Sequence, residues 1–439
     1  MNAAINQWSY FRNMRDINDI LLVGEKRTYE LIESMISSLR KCFRTDKIHI
    51  GMDEADNLGR GKYLDKNGLR KRYDILLDHL KEVCKITEKY NFKPMMWSDM
   101  FFRQNSTDCF DTNIKLDNKI QEEIPKNLTL VYWDYYRTDK KSYAKMIDNN
   151  QKLTDDLAFA GGAWRWIGFT PHNHYSFRTT KAAFSACIEK GIKNVFITMW
   201  GDNGAEASTY SVLPSLCYAA CLNQDITKME DIKLKFKEWV GYDFNDFMLL
   251  DLPDRVHKSK FEINPSKYEL YNDCFMGVVD SGIAQGDNKA YASFARRLNN
   301  AKKRVGEYEY LFDTAAKLCS VLSIKAELSR KTRAVYFSND KEALEQLIKD
   351  YGKVIKKTEE FYYAFRLQWY IENKPHGFDV QDIRIGGLLR RMKSCLERLI
   401  DLRDGKIDRI EELHEEPNKE YSPECLYNDW LLNATANIL

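Results

Sequence analysis

No apolar run in the 439-residue chain approaches the roughly 18 to 20 residues that cross a bilayer, and its first residues lack a charged stretch followed by an apolar core. Neither a membrane span nor a secretory signal is expected. Charge of one sign is also missing: 67 Lys and Arg stand against 65 Asp and Glu, for a net charge of +2. Such a balance exerts no general pull on polyanions, so no nucleic-acid partner is expected. There is no Gly/Ser linker and no low-complexity segment. The 10 cysteines are scattered rather than clustered, most of them inside apolar helical patterns. They read as reduced, buried thiols of a cytoplasmic protein, not as a disulfide framework.

Aromatic side chains are plentiful. The chain holds 25 Tyr, 22 Phe and 9 Trp, which suits a protein that stacks flat apolar ligand faces as well as filling a core. With 44% hydrophobic residues it can bury enough surface for about two or three domains.

Five segments share one design, a short apolar, β-rich run that ends in polar or aromatic residues and leads into a helical pattern. They are Lys47-Ile48-His49-Ile50-Gly51-Met52-Asp53-Glu54, Pro94-Met95-Met96-Trp97-Ser98-Asp99-Met100, Leu128-Thr129-Leu130-Val131-Tyr132-Trp133-Asp134-Tyr135, Leu157-Ala158-Phe159-Ala160-Gly161-Gly162-Ala163-Trp164 and Asn194-Val195-Phe196-Ile197-Thr198-Met199-Trp200-Gly201-Asp202. Helical patterns run over 69–90 and 142–149, and one helix over 27–43 precedes the first strand. Repeated βα units of this kind predict an α/β fold with a parallel sheet, best matched by a (β/α)8 TIM barrel whose sites lie at the C-terminal strand ends. Only five strands are visible where closure needs eight, so a partial barrel is expected, with two exposed edges.

Beyond the last strand the pattern is helical. Tyr291, Phe294, Leu298, Ala301, Val305, Tyr308, Phe312, Ala315 and Leu318 recur at three and four, as do Leu344, Leu347, Ile348, Tyr351, Val354, Ile355, Tyr362 and Phe365. A boundary near Pro253 to Pro265 divides residues 1–252, a partial barrel, from residues 253–439, an all-α C-terminal domain.

Asp53 and Glu54 are the leading candidates for chemistry. Neighbouring residues of a strand point to opposite faces, so both carboxylates can serve one ligand only where the strand frays into its loop. A lone Asp-Glu pair would ordinarily cap a helix or sit in solvent. Here four later strands also end in aromatics or carboxylates, and barrel geometry would gather such ends around one cleft.

The stretch His49-Ile50-Gly51-Met52-Asp53-Glu54 resembles the His-x-Gly-Gly-Asp-Glu signature of glycoside hydrolase family 20, the β-N-acetylhexosaminidases, and the later Trp-bearing strand ends strengthen the match over about residues 3–206. Gly59-Arg60-Gly61-Lys62-Tyr63-Leu64-Asp65-Lys66 and the helical C-terminal part look like the intracellular bacterial branch, here N-terminally truncated. The resemblance implies an exo-acting enzyme that releases terminal N-acetylglucosamine or N-acetylgalactosamine, and it assigns roles. Glu54 would protonate the leaving oxygen, with a pKa raised by an apolar, tryptophan-lined site. Asp53 would hold the N–H of the substrate's own 2-acetamido group, whose carbonyl oxygen attacks the anomeric carbon to give an oxazolinium ion, the substrate-assisted route. Neither metal nor organic cofactor is then required. Trp97, Trp133 and Trp200 would wall the pocket, with Trp164 at the fourth strand end. Asp202 would grip the sugar's 4- and 6-hydroxyls, and Tyr135 would replace a family tyrosine on the acetamido oxygen.

The departures are specific. Met52 stands where the family has its second Gly, which suits a backbone that needs no positive φ there. The family's Tyr-x-Asp is replaced by Gly162-Ala163-Trp164-Arg165-Trp166, and the sugar-gripping Arg of the first barrel strand has no counterpart. Two alternatives therefore stand beside hydrolysis through an oxazolinium ion: an inactive remnant that only binds sugar, and a barrel glycosidase with Glu54 as covalent nucleophile.

Other signals carry less. Gly59-Arg60-Gly61-Lys62-Tyr63 lacks the early Gly and the Ser/Thr of a phosphate loop. His172-Asn173-His174, with no ligand at metal spacing nearby, reads as a surface loop. His49 reads equally as a supporting or a core imidazole, and Cys217 and Cys221 as packed one turn apart. The polar stretch from Glu372 to Arg384 reads as a capped connection between helices that could reach the cleft or a dimer partner; the helical part is a plausible homodimer face.

Overall fold

The computed structural model describes residues 8–103, 109–114, 119–257, 262–416 and 430. The first seven residues, Cys425 and part of the expected boundary segment lie outside them. The chain divides into two compact units, Met1–Gly161 with Thr179–Thr198, and Gly162–Arg178 with Met199–Leu439.

All five expected strands form. They are β1 (Lys47–His49), β2 (Lys93–Trp97), β3 (Thr129–Trp133), β4 (Leu157–Gly162) and β5 (Asn194–Thr198), joined in the order β1-β2-β3-β4-β5. The pairing is parallel, with His49 opposite Met95, Trp97 opposite Val131 and Trp133 opposite Ala160. Every residue of β3 and β4 is buried, which is why these strands read as continuous apolar runs rather than alternating ones. By contrast β1 and β5, with a neighbour on one side only, are partly exposed. Five strands make a half-barrel, as the sequence predicts.

Helix α1 (Lys26–Cys42) precedes β1, and the principal helices between the strands are α2 (Arg72–Lys89), the single turn α3 (Asp99–Phe102), α4 (Lys140–Gln151) and α5 (Asn173–Glu189). Their stops follow from local chemistry. After α2, Asn91 takes a left-handed φ of 54°, its N–H reaches Glu88 O at 2.9 Å and the Phe92 N–H reaches Thr87 O at 2.9 Å. This closes the orphan carbonyls of the last turn and turns the chain straight into β2. Gly191, at φ 70°, repeats the device before β5, with the Ile192 N–H on Cys187 O. The core of this unit joins Ile75, Leu76 and Leu80 of α2 to Met96, Leu130, Tyr132 and Phe159 of the strands. Replacing a ring such as Phe159 by Ala would cost about 3–5 kcal/mol.

The second unit holds α6 (Leu213–Leu222), α7 (Met229–Val240), α8 (Pro265–Tyr271), α9 (Asp287–Lys302), α10 (Glu309–Lys325), α11 (Leu328–Ser338), α12 (Lys341–Glu372) and α13 (Phe378–Arg403). The residues picked out by helical spacing lie in or against one core: Tyr291, Leu298, Phe312, Leu318, Tyr351, Val354 and Phe365 are buried within it. No helix among the described residues is long and apolar enough to cross a membrane. The nine described cysteines are unbridged, and all but Cys42 are buried.

Candidate active site

Asp53 and Glu54 lie in the loop that leaves β1, and three of its residues adopt left-handed backbone: Gly51 (φ 73°), Met52 (φ 72°) and Glu54 (φ 49°). Met52 thus does occupy a conformation that favours glycine, against the expectation from sequence. A side chain there costs roughly 1–2 kcal/mol, so the loop is strained at the acid pair. The register of the strands holds it in place. Ile50 N–H donates to Met95 O at 2.8 Å and Trp97 N–H to Gly51 O at 3.2 Å, which carries the β1–β2 ladder past the end of β1.

Asp99 completes the anchorage. It is the first residue of α3, two residues past the end of β2, and only 5% exposed. Its Oδ2 accepts the backbone N–H of Glu54 at 3.0 Å and the Arg103 Nε–H at 3.2 Å, while its Oδ1 accepts the Trp133 indole N–H at 3.4 Å. Arg103, one turn along, also pairs with Glu54 at 3.3 Å and Asp56 at 3.2 Å. Three acids thus share one guanidinium. Burial pushes the Glu54 carboxyl above its usual range, Arg103 pulls it down, and Asp99, Asp53 and Asp56 push it up again. Burial likewise raises Asp53, against its own backbone N–H and Arg103. Glu54 is still 60% exposed, so solvent screens these charges.

Trp97 and Trp133 end β2 and β3, and both are buried. The Trp97 ring lies 4.2 Å from the His49 ring, and Trp133 stacks on Tyr135 at 5.5 Å with an interplanar angle of 26°. Tyr135 therefore does keep company with Trp133. His49 Nδ1 accepts the Gly51 N–H at 3.1 Å, which leaves the ring proton on Nε2, and burial lowers its pKa to about 4. It is a neutral imidazole that braces both the loop and Trp97. The side chains of Asp53 and Glu54 line a cleft of about 540 Å³ whose other wall is α1 and β1, with Ile32, Ile36 and Ile48. The two indoles do not line that cleft.

Trp164, Trp200 and Asp202 belong to the second unit. Trp164 is buried, stacked on Trp166 at 4.4 Å, with its N–H on Ser176 Oγ at 2.9 Å. Trp200 is partly buried and Asp202 exposed at the start of a short 3-10 turn; burial of its surroundings raises the Asp202 carboxyl. The loop they share is tightly held. Arg165 donates to Trp200 O at 3.0 Å and Ala207 O at 3.0 Å, and Gln381 to Gly204 O at 3.3 Å. Lys267 and Arg384 reach Asn203 O at 3.2 and 2.7 Å and clasp the Glu206 carboxylate at 2.6 and 3.3 Å. Glu372 accepts from the Ser208 hydroxyl and from the Thr209 N–H at 3.2 Å. The polar stretch around Glu372 to Arg384 is therefore more than a connection between helices: it grips the loop that carries Trp200 and Asp202.

Two minor readings are corrected or refined. His172-Asn173-His174 is not a surface loop, since His172 and Asn173 are 2% and 0% exposed. Asp251, Asp254 and Glu262, some 80 to 90 residues on, supply the partners that local spacing did not show: Asn173 donates to Asp251 Oδ1 at 2.9 Å and His172 Nδ1 lies 2.5 Å from Glu262 Oε2. In the Gly59–Lys62 stretch a Cβ on Gly61 would meet Asp16 O at 2.5 Å, and Asp16 accepts the N–H groups of Gly59 and Tyr63. These glycines serve close backbone packing.

Asp99, Arg103, Arg165, Lys267 and Arg384 were not singled out from sequence. Asp99 alone left a trace, as a carboxylate two residues past a strand-end Trp.

Among solved structures, this chain is similar to the GH20 exo-β-N-acetylglucosaminidase from Vibrio harveyi in complex with N-acetylglucosamine, at 11% identity over 53% of this chain and 37% of that one, with a TM-score of 0.35. It is also similar to a GH138 enzyme targeting pectin rhamnogalacturonan II, at 10% identity over 86% of this chain and 65% of that one, with a TM-score of 0.36. The chain thus spans 37% and 65% of the lengths of these two proteins. Two family models match, the glycosyl hydrolase family 20 catalytic domain over residues 2–155 and the Glycoside Hydrolase 20C C-terminal domain over residues 245–425, and the chain belongs to glycoside hydrolase family 20.

Proposed function

We propose that the protein is a glycoside hydrolase acting as a cytoplasmic exo-β-N-acetylhexosaminidase, which removes terminal N-acetylglucosamine or N-acetylgalactosamine from oligosaccharides by substrate-assisted retaining catalysis. The observation that carries this reading is the Asp53-Glu54 pair on a strained loop pinned by Asp99. Two adjacent carboxylates cannot flank a glycosidic bond from opposite sides at the roughly 5 Å separation of an ordinary retaining enzyme. They can divide the work. Glu54, its pKa raised by its surroundings, gives its proton to the leaving oxygen as the glycosidic bond breaks. Asp53 accepts a hydrogen bond from the acetamido N–H, so that the acetamido oxygen bonds to the anomeric carbon. Water then opens the oxazolinium ion, and Glu54 takes the proton back.

In this reading Tyr135, stacked on Trp133, meets the acetamido oxygen. No cofactor enters. A homodimer would form through the exposed stripe Tyr363, Leu367, Tyr370 and Ile371 of α12 with Ile383 of α13.

The test is turnover of a chromogenic N-acetylglucosaminide beside the matching glucoside, which lacks the acetamido arm. The N-acetyl compound is expected to be cleaved and the glucoside not, and Glu54→Gln should abolish turnover. Equal cleavage of both, or a sugar trapped covalently on Glu54, would replace the acetamido route by a carboxylate nucleophile. The partly exposed edges of β1 and β5 favour one second reading, a half-barrel that binds the sugar without turning it over. It predicts saturable binding of N-acetylglucosamine with no product from either compound.

A further inference from the structure

Three side chains of the helical unit stand apart from the proposed sugar chemistry. His257 follows the 3-10 turn Met248–Asp254, Glu269 lies in α8 and Asp287 opens α9. His257 Nε2 is 3.1 Å from Glu269 Oε1 and 3.4 Å from Asp287 Oδ2, and one donor atom from each residue lies within 4.8 Å of the other two.

Charge is the first argument. Glu269 and Asp287 are 0% and 5% exposed, and buried carboxylates need compensation. With both carboxylates ionised, a protonated His257 would still leave one negative charge. The next charged groups around Asp287 are Glu327 and Arg330, which offset each other. A dication with a neutral imidazole sums to zero. Unsatisfied atoms are the second argument. The Tyr268 hydroxyl is buried without a hydrogen-bond partner among the described residues and lies close enough to Glu269 and Asp287 to feel their charges, and the second oxygen of Glu269 has no partner better than a loose approach of the Tyr291 hydroxyl. Folded proteins pair nearly all such atoms, or fill the place with an ion or water. Geometry is the third. For a metal about 2.1 Å from each donor, separations of 3.1 and 3.4 Å subtend about 95° and 108°, between the octahedral and tetrahedral angles.

We propose that His257, Glu269 and Asp287 bind a divalent transition-metal ion, with Zn²⁺ the best match to one imidazole nitrogen and two carboxylate oxygens. Glu269 Oε2 or a water takes the remaining position. The ion would fasten the segment after Asp254 to α8 and α9, a structural role separate from sugar hydrolysis. The same distances fit a protonated imidazole shared between two carboxylates, and the experiment separates the two.

The full-length chain, stripped with EDTA and dialysed, is titrated with ZnCl₂ while bound metal and Tm are followed. One equivalent of zinc should be retained and Tm should rise by several degrees, whereas MgCl₂ and CaCl₂ at equal concentration should leave Tm unchanged. Glu269→Gln and Asp287→Asn should each weaken zinc binding by at least about tenfold and erase the rise, while His376→Gln, at an exposed histidine, should not. Should those variants fold poorly, Co²⁺ on the unaltered protein decides. Visible d–d bands without thiolate charge transfer, lost on adding Zn²⁺, support the site. A Tm indifferent to zinc with only the aquo-ion spectrum of Co²⁺, or full zinc binding by both variants, would overturn it and leave an imidazolium ion pair.

Discussion

The carboxylate of Asp99 accepts the backbone N–H of Glu54 at 3.0 Å across 45 residues of sequence. Its second oxygen takes the Trp133 indole N–H, so one buried side chain ties the acid loop to the end of β3. A loop residue at φ 49° would otherwise relax toward ordinary backbone. On the role proposed for Glu54, Asp99 is a positioning residue that sets where the proton would be delivered.

Asp99→Asn should therefore lower kcat on a chromogenic N-acetylglucosaminide by about 10²-fold, the scale of a misplacement near 1 Å. All three partners of Asp99 are donors, and the variant turns an NH₂ toward at least one of them, which should also cost about 1–3 kcal/mol of stability. A purely structural role predicts the stability loss with kcat unchanged in the folded fraction. Measuring kcat and the urea midpoint on the same sample distinguishes the two.

Met52 gives a sharper test of backbone strain. At an ordinary position Gly is less stable than Ala by roughly 0.5–1 kcal/mol. At φ 72° the order should reverse, with Met52→Gly more stable than Met52→Ala by about 1 kcal/mol in urea unfolding. Both variants lose the same packing of the thioether, so their difference isolates the backbone. Ala the more stable would mean that the loop is not strained.

These two residues also mark what could be read from the chain. Strand positions were legible because an apolar, β-rich run is a local signal, and β2 to β5 begin within one residue of the expected segments. The helical spacing of Tyr291 to Leu318 was legible for the same reason. The φ of Met52 was not, because a loop takes its backbone from what it spans: here β1, the end of β2 and Asp99. His172 read as surface because its carboxylate partners stand 82 and 90 residues further on. The clasp on the Trp200 loop joins residues up to about 180 positions apart, and no sequence period encodes that.

If Glu54 is the proposed acid, Arg103 should set its working range. Its guanidinium opposes the burial that raises the Glu54 carboxyl. Arg103→Met should raise that pKa further, keep Glu54 protonated to higher pH and move the alkaline limb of the kcat profile upward. A limb that stays in place or moves to lower pH would show that Glu54 is not the group being titrated.

His172 should make stability depend on pH in the opposite region from a depressed carboxylate. Burial alone would lower its pKa, but Glu262, Asp254 and Asp251 outweigh it and raise the group from 6.5 to about 8. The folded state then binds the proton more tightly than the unfolded chain. The stabilisation, about 2 kcal/mol, should be fully present below pH 6.5 and lost as pH rises through 8. Urea midpoints taken between pH 6 and pH 9 should fall over that window, and His172→Gln should flatten the fall. Equal slopes in the two proteins would remove His172 from the account.

The buried clasp of Glu206 with Lys267 and Arg384 makes a prediction about order. The side chains of Glu206 and Lys267 are 1% and 0% exposed, and the two cations lie 3.7 and 4.7 Å from the Trp430 ring. Lys267→Met removes one cation and leaves Glu206 paired with Arg384, a neutral couple. Glu206→Gln leaves two buried cations facing one indole with no anion between them. Breaking a buried pair from one side costs about 3–5 kcal/mol, so Lys267→Met should fall near the lower figure and Glu206→Gln at or beyond the upper. Because Asn203 O also hangs on Lys267 and Arg384, both changes should loosen the loop that carries Asp202. Equal destabilisation by the two variants would mean that water, rather than the ion pair, carries the charge of this cluster.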